Sequence, residues 1–218
     1  MNNVMSIGAV FGIVILSVIS AFTVGGIIIG ASTSSTEQIN KFQEELDIPE
    51  NVEVTYKSKM IQVTGPLGKT YKSFKKIPVD ISLDGKKIFL KAVGTRNKNI
   101  AIMRTAKSII RNLCEGVIDG YTIKMKIVFS HFPITVKVNE KNVLIENFQG
   151  ERAPRITKIW GDTKVVPKGD DVIITGHVLT DVTQTAAEIE NNSRVKNKDH
   201  RVFLDGIYKF EKTKGIEK

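Results

Sequence analysis

The sequence predicts an α+β fold of two tandem, duplicated units, each an antiparallel sheet packed against one helix. Three observations carry this reading. Short runs of alternating apolar and polar residues recur from Val52 onward, two stretches have helical spacing, and the order of strands and helix repeats at a nearly fixed offset.

In the first unit, Val52, Val54 and Tyr56 face one way, and Met60-Ile61-Gln62-Val63 forms the next strand. Gly65-Pro66-Leu67-Gly68 then reads as a turn, because glycine at both ends with proline inside stops a strand and folds the chain back. Ile81 and Leu83, then Asp84-Gly85, then Ile88-Phe89-Leu90 make a second hairpin, with Asp-Gly as its turn dipeptide. Ile100, Met103, Ala106, Ile110, Leu113 and Val117 recur at helical spacing, and Gly116 and Gly120 mark the helix end. Ile123, Met125, Ile127 and Phe129 alternate with polar or smaller residues as a closing strand.

The second unit repeats the order. Sliding residues 52–68 onto 134–150, an offset of 82, places Val54 on Val136, Lys59 on Lys141 and Gly68 on Gly150. It also aligns Val52 with Ile134, Tyr56 with Val138, Ile61 with Val143 and Val63 with Ile145. A strand at residues 172–175 precedes a helix at 181–190, whose Asp181 and Gln184 suit a capping box. Asp205-Gly206-Ile207-Tyr208 then echoes Asp119-Gly120-Tyr121 at an offset of 86. Residues 130–133 serve as the hinge, so the units are read as residues 37–130 and 131–218.

Residues 1–36 stand apart. They contain no Asp, Glu, Lys, Arg or His, and residues 7–31 are interrupted only by Ser17, Ser20, Thr23 and glycines. That run is long enough to cross a bilayer as a helix. It lacks the basic start of a secretory signal, and the first cation beyond it is Lys41. The segment is either a membrane anchor, a translated upstream stretch that the mature protein does not carry, or an extension that another chain covers.

Charge points to a polyanionic partner. The net charge is +9 and the pI is near 9.5, which favours nucleic acid or an anionic membrane surface. Residues 194–214 hold seven basic residues (Arg194, Lys196, Lys198, Arg201, Lys209, Lys212, Lys214) against three acidic ones. Within them, residues 201–208 form an apolar block that a disordered tail would not carry. Folded structure presenting clustered cations is what holds a phosphate backbone in register.

No catalytic constellation is present in the sequence. His131, His177 and His200 are far apart and have no partners at metal-ligand spacing. Gly85-Lys86-Lys87 lacks the upstream glycine and the hydroxyl residue of a phosphate-cradling loop. Cys114, the single cysteine, excludes an internal disulfide and reads as a core thiol on an apolar helix face. The chain is therefore not expected to be an enzyme, and no metal or cofactor is implied. No strand shows paired aromatics, which favours recognition of structured RNA through its backbone and shape.

The blocks Asp47-Ile48-Pro49-Glu50-Asn51-Val52, Gly65-Pro66-Leu67-Gly68, Arg104-Thr105, Gly116-Val117 and Gly120-Tyr121 occur in order. Lys124-Met125, His131-Phe132-Pro133-Ile134, Asn147-Phe148-Gln149-Gly150-Glu151 and Val195-Lys196-Asn197-Lys198-Asp199 follow, leading into Arg201 and residues 203–208. In these blocks the chain resembles the universal large-subunit ribosomal protein called protein six in bacteria and protein nine in eukaryotes, over residues 47–211. The resemblance implies two tandem α+β domains and a structural role in the large subunit, in the cytoplasm. It implies binding to ribosomal RNA near the sarcin–ricin loop, beside other ribosomal proteins and close to the translational GTPases. It places Lys196, Lys198, Arg201 and Lys209 as phosphate contacts and Asn197 as a sugar or base contact. Arg194, His200 and Lys212 are read into the same RNA-binding set from their place in the basic stretch, with His200 either a phosphate contact or a solvated side chain. Gly65, Gly68 and Gly150 shape turns, and Asp205-Gly206 shapes the turn that presents the cations. Three departures stand out: Leu67 where a basic residue is usual, Asn191 for a glutamine, and Ala92-Val93 where relatives often have tryptophans. The rival reading is a membrane-anchored binding module that sets its basic face on anionic lipid or an acidic partner.

Overall fold

The computed structural model describes residues 42–94, 96–199 and 201–216. The apolar segment 1–36 and His200 lie outside the described residues. The element order is β1 (Gln43–Asp47), β2 (Glu53–Lys57), β3 (Met60–Gly65), β4 (Gly68–Ser73), β5 (Val79–Asp84), β6 (Lys87–Ala92) and α1 (Asn97–Ile118). It continues with β7 (Tyr121–Val128), β8 (Thr135–Asn139), β9 (Asn142–Glu146), β10 (Arg155–Lys158), β11 (Lys164–Lys168), β12 (Asp171–Gly176), α2 (Leu179–Asn192) and β13 (Gly206–Lys214).

All the pairings are antiparallel. Each unit has two small sheets sharing one helix, where the sequence suggested one sheet. The first unit has orders β1-β6-β5 and β2-β3-β4, and the second has β11-β12-β7-β13 and β10-β9-β8. The offset of 82 is borne out: β2 and β3 start 82 residues before β8 and β9, and Asn97 starts α1 82 residues before Leu179 starts α2.

Every position read at helical spacing on α1 is buried: Ile100, Met103, Ala106, Ile110, Leu113 and Val117. They pack with Ile61, Val63, Phe74, Ile88 and Leu90 into the first core. Val182, Ala186 and Ile189 of α2 join Val143, Ile145, Val172 and Ile174 in the second.

One assignment is corrected. β7, read as the closing strand of the first unit, pairs with β12 and β13 and contributes Ile123, Met125 and Ile127 to the second core. The change of core therefore falls between Val117 and Ile123, and not at residues 130–133. The order β11-β12-β7 mirrors β5-β6-β1, so β7 opens the second unit as β1 opens the first. A single sequence cannot show this, because strand spacing does not say which sheet a strand joins.

Smaller differences are local. Cross-strand partners Asp84 and Lys87 leave Gly85-Lys86 at the hairpin tip, one residue later than expected. The capping box is not formed: α2 starts after Val178, which makes no side-chain cap bond, so Asp181 sits inside the first turn. Gly65 and Gly68 do face each other across the β3–β4 turn.

The junction between units is tight. A Cβ on Gly116 would fall on the His177 carbonyl oxygen, so only glycine lets α1 approach the β12–α2 connection there. The Leu67 N–H donates to the Val117 carbonyl and the Gly215 N–H to that of Gly120. Tyr121 Oη donates to the Asn112 carbonyl at 2.9 Å, and Lys214 Nζ lies 2.7 Å from Glu115 Oε2. Burial pushes the Tyr121 phenol up to about 12. Leu67 also faces Gly120 across this junction, which gives the departure from a basic residue a packing role.

Candidate nucleic-acid interface

The basic segment begins where α2 ends. Ser193 is buried, and its hydroxyl accepts the Ile207 N–H at 3.0 Å while lying 3.1 Å from the Glu190 carbonyl oxygen. Residues 194–205 thus leave and return at one bonded point, as a loop closed at its base. Val195 is buried as the loop's one apolar anchor, whereas Arg194, Lys196, Asn197 and Lys198 are exposed. Asn197 has φ +59, a left-handed conformation that Asn tolerates better than most residues.

Arg155 fixes this loop from below, and nothing in the sequence spacing singled it out. Its Nη1 donates to the carbonyls of Asn192 at 2.6 Å and Arg194 at 3.1 Å. Its Nε and Nη2 grip both oxygens of Glu151, and its guanidinium lies 4.0 Å from the Phe148 ring centre. Arg155 thereby takes up carbonyls at the α2 C-terminus and positions the first loop residue. The Arg155 hydrogen bond holds the Glu151 carboxyl below its ordinary range, with burial opposing and Lys196 adding a smaller pull.

The loop tip differs from expectation. The Asp199 carbonyl accepts the N–H groups of Val202 and Phe203, ahead of the expected position. Gly206 is already the first residue of β13, so Asp205-Gly206 is not the turn centre. Instead Asp205 Oδ1 accepts the Ser130 N–H at 2.8 Å, tying the loop to the β7–β8 connection. In the apolar block, Val202, Phe203 and Leu204 are exposed at 70%, 39% and 55%, and Ile207 is the buried apolar side chain. Arg201 pairs with Asp199, with Nη2 3.1 Å from Oδ2, and Lys198 Nζ sits 4.6 Å over the Phe203 ring.

Lys209 and Lys212 lie on β13, the outer strand of its sheet. Lys209 stands opposite Met125 and Lys212 opposite Ile123, with a bulge between Lys209 and Glu211. Three residues apart on a regular strand, the two lysines would point to opposite faces; the bulge brings them to one. Among the described residues no ion pair involves Arg194, Lys196, Lys198, Lys209 or Lys212.

Chemistry-bearing groups elsewhere are quiet. Cys114 is buried, and burial pushes its thiol up to about 11, so it is a core residue. His131 is exposed, and His177 lies half-buried at the junction. Among the described residues no group of His, Cys, Asp or Glu could hold a metal, and no helix is long and apolar enough to cross a membrane.

Fold and surface together define a doubled α+β scaffold that presents fixed cations and carries no assembled catalytic group among its described residues. Comparison with known proteins narrows the class. A family described as Ribosomal protein L6 matches residues 132–206. The large ribosomal subunit protein uL6 of Methanobrevibacter smithii is 45% identical over 170 residues, which are 78% of this chain and 96% of that protein. Its counterparts in Desulfurococcus amylolyticus and Saccharolobus solfataricus are 43% and 39% identical over 176 residues, or 79% and 80% of this chain. The chain belongs to the ribosomal protein L6 (uL6) family.

Proposed function

We propose that this chain is a structural constituent of the large ribosomal subunit that binds ribosomal RNA near the sarcin–ricin loop and the translation-factor site. It acts in cytoplasmic translation, and its family is a ribosomal component and not an enzyme. Its partners are large-subunit RNA, neighbouring ribosomal proteins and, close by, the translational GTPases. The observation that carries the reading is the loop 194–205, closed at Ser193 and Ile207, with Arg194, Lys196 and Lys198 exposed and, among the described residues, in no ion pair. Cations held on a closed loop meet phosphates at a low ordering cost and displace condensed counterions. Lys196, Lys198, Arg201 and Lys209 contact phosphate, with Arg194, His200 and Lys212 in support, and Asn197 reaches a sugar or base.

The test is the salt dependence of binding to a large-subunit RNA transcript. Changing Lys196, Lys198 and Arg201 together to Ala should lower the slope of log K against log salt by about two units, at about 0.7–0.9 per phosphate. An unchanged slope removes these residues from the interface. Sedimentation adds a second check: the protein should travel with the large subunit at moderate salt, and travel with membranes would support the anchored rival.

A further inference from the structure

We propose that a pocket between the Phe132 connection and the 194–205 loop receives one unpaired base of the bound RNA. The inference rests on the RNA-binding reading above. Sequence periodicity gave no sign of base stacking, because its aromatics are scattered; the fold gathers them. Phe132 from the β7–β8 connection and Phe203 with Val202 from the loop tip line one cavity of about 200 Å³. All three are exposed, Phe132 at 47%. Held apolar rings left open to water beside a cationic loop are an unfilled contact surface.

The pocket is built and held. Gly150, at φ +80, sits beneath Phe132: a Cβ there would stand 3.2 Å from the ring edge, so glycine allows the ring to settle on this turn. Asn147, also left-handed, donates its amide to the Pro133 carbonyl at 3.1 Å and fixes the connection that carries Phe132. Asp205 binds the Ser130 N–H, so the two walls are tied together at one end.

The lining matches a base better than an aliphatic side chain. Apolar faces come from Phe132, Phe203 and Val202, while Gln149 and Asp205 supply amide and carboxylate groups able to meet a base edge. Lys198, poised over Phe203, marks where the phosphate of an inserted nucleotide would run. Stacking of this kind tolerates any base, since every base has a π face.

The experiment uses the full chain and a large-subunit RNA transcript. Phe132→Ala and Phe203→Ala should each weaken binding about 5- to 100-fold at fixed salt, the size of a lost base–aromatic stack. The salt slope should stay unchanged, because no phosphate contact is removed, and Tyr at either position should restore affinity. If both Ala variants bind like the parent while Lys196→Ala still lowers the slope, the pocket is overturned and the RNA reading stands. If neither type of change matters, both fall. Because Phe132 rests on Gly150 and its loss could disturb the turn, ultraviolet crosslinking of assembled subunits gives an independent readout. A nucleotide adduct on Phe132 or Phe203 supports the pocket, and a crosslink from these residues to a neighbouring protein overturns it.

Discussion

The two units share an order of elements but use it differently, and β1 against β7 shows how. Both are first strands, and both pair with the last strand before the helix. β1 is an outer strand with the sequence Gln-Glu-Glu-Leu-Asp, alternately exposed and half-buried. Its Glu44 takes Arg104 and Lys107, and its Glu45 and Asp47 take Lys87. β7 is an inner strand, buried at Tyr121, Thr122, Ile123, Met125 and Ile127. The cause is β13, which follows α2 as β7 follows α1 and covers the edge of β7 that β1 leaves open. The first unit pairs the acids of β1 with its own cations, while the second adds a strand and a loop on which Arg201 and Lys214 are paired but, among the described residues, Arg194, Lys196, Lys198, Lys209 and Lys212 enter no ion pair. Duplication supplied the scaffold, and the addition supplied the surface.

Core truncation in each unit is the strongest way to break this contrast. Ile110→Ala and Ile189→Ala should each cost about 2–5 kcal/mol in chemical denaturation. Of the two, Ile189→Ala should reduce RNA affinity more, since the basic loop rests on the second core; equal loss would refute the division of labour. Gly116→Ala strikes the junction and should cost about 1–3 kcal/mol, because backbone must shift to admit a methyl group. Arg155→Ala should cost about 1.5–3 kcal/mol from its charge-assisted hydrogen bonds, with hydrogen exchange rising at residues 194–199 and staying unchanged in the first unit.

Acid should loosen both units through depressed carboxylates. Glu44 is held below its ordinary 4.5, first by the Lys107 hydrogen bond, and Glu151 likewise by Arg155. Such groups stabilise the fold fully above the unfolded value, and that stability is lost as pH falls through the folded one. Glu151→Gln should remove the acid sensitivity of exchange in the loop and leave that of β1 intact. The smallest effect is that of Glu44→Gln on stability, about 0.2–1 kcal/mol for ion pairs at the surface, here half-buried, with no change in the RNA salt slope.

Much of this architecture was legible because periodicity reports burial. The α1 face, the two hairpins and the offset of 82 follow from it directly. What escaped depended on long-range pairing. β7 reads as a strand in either unit, and only its partners assign it. The apolar block at residues 201–208 reads as ordered structure, but periodicity does not tell that Val202, Phe203 and Leu204 stand exposed while Ile207 is buried. Arg155 escaped because its partners, the carbonyls of Asn192 and Arg194, are backbone groups 37 and 39 residues away. The cations themselves were plain in the sequence, but the bulge that sets Lys209 and Lys212 on one face was not.

That bulge also bears on the protein before it meets RNA. β13 is long and outermost, and an open strand edge of this kind invites pairing with a second copy and then aggregation. Lysines along the strand and a break in its hydrogen-bond ladder are the usual deterrents. The residues read as contacts for nucleic acid would therefore also keep the newly made chain soluble until it is incorporated.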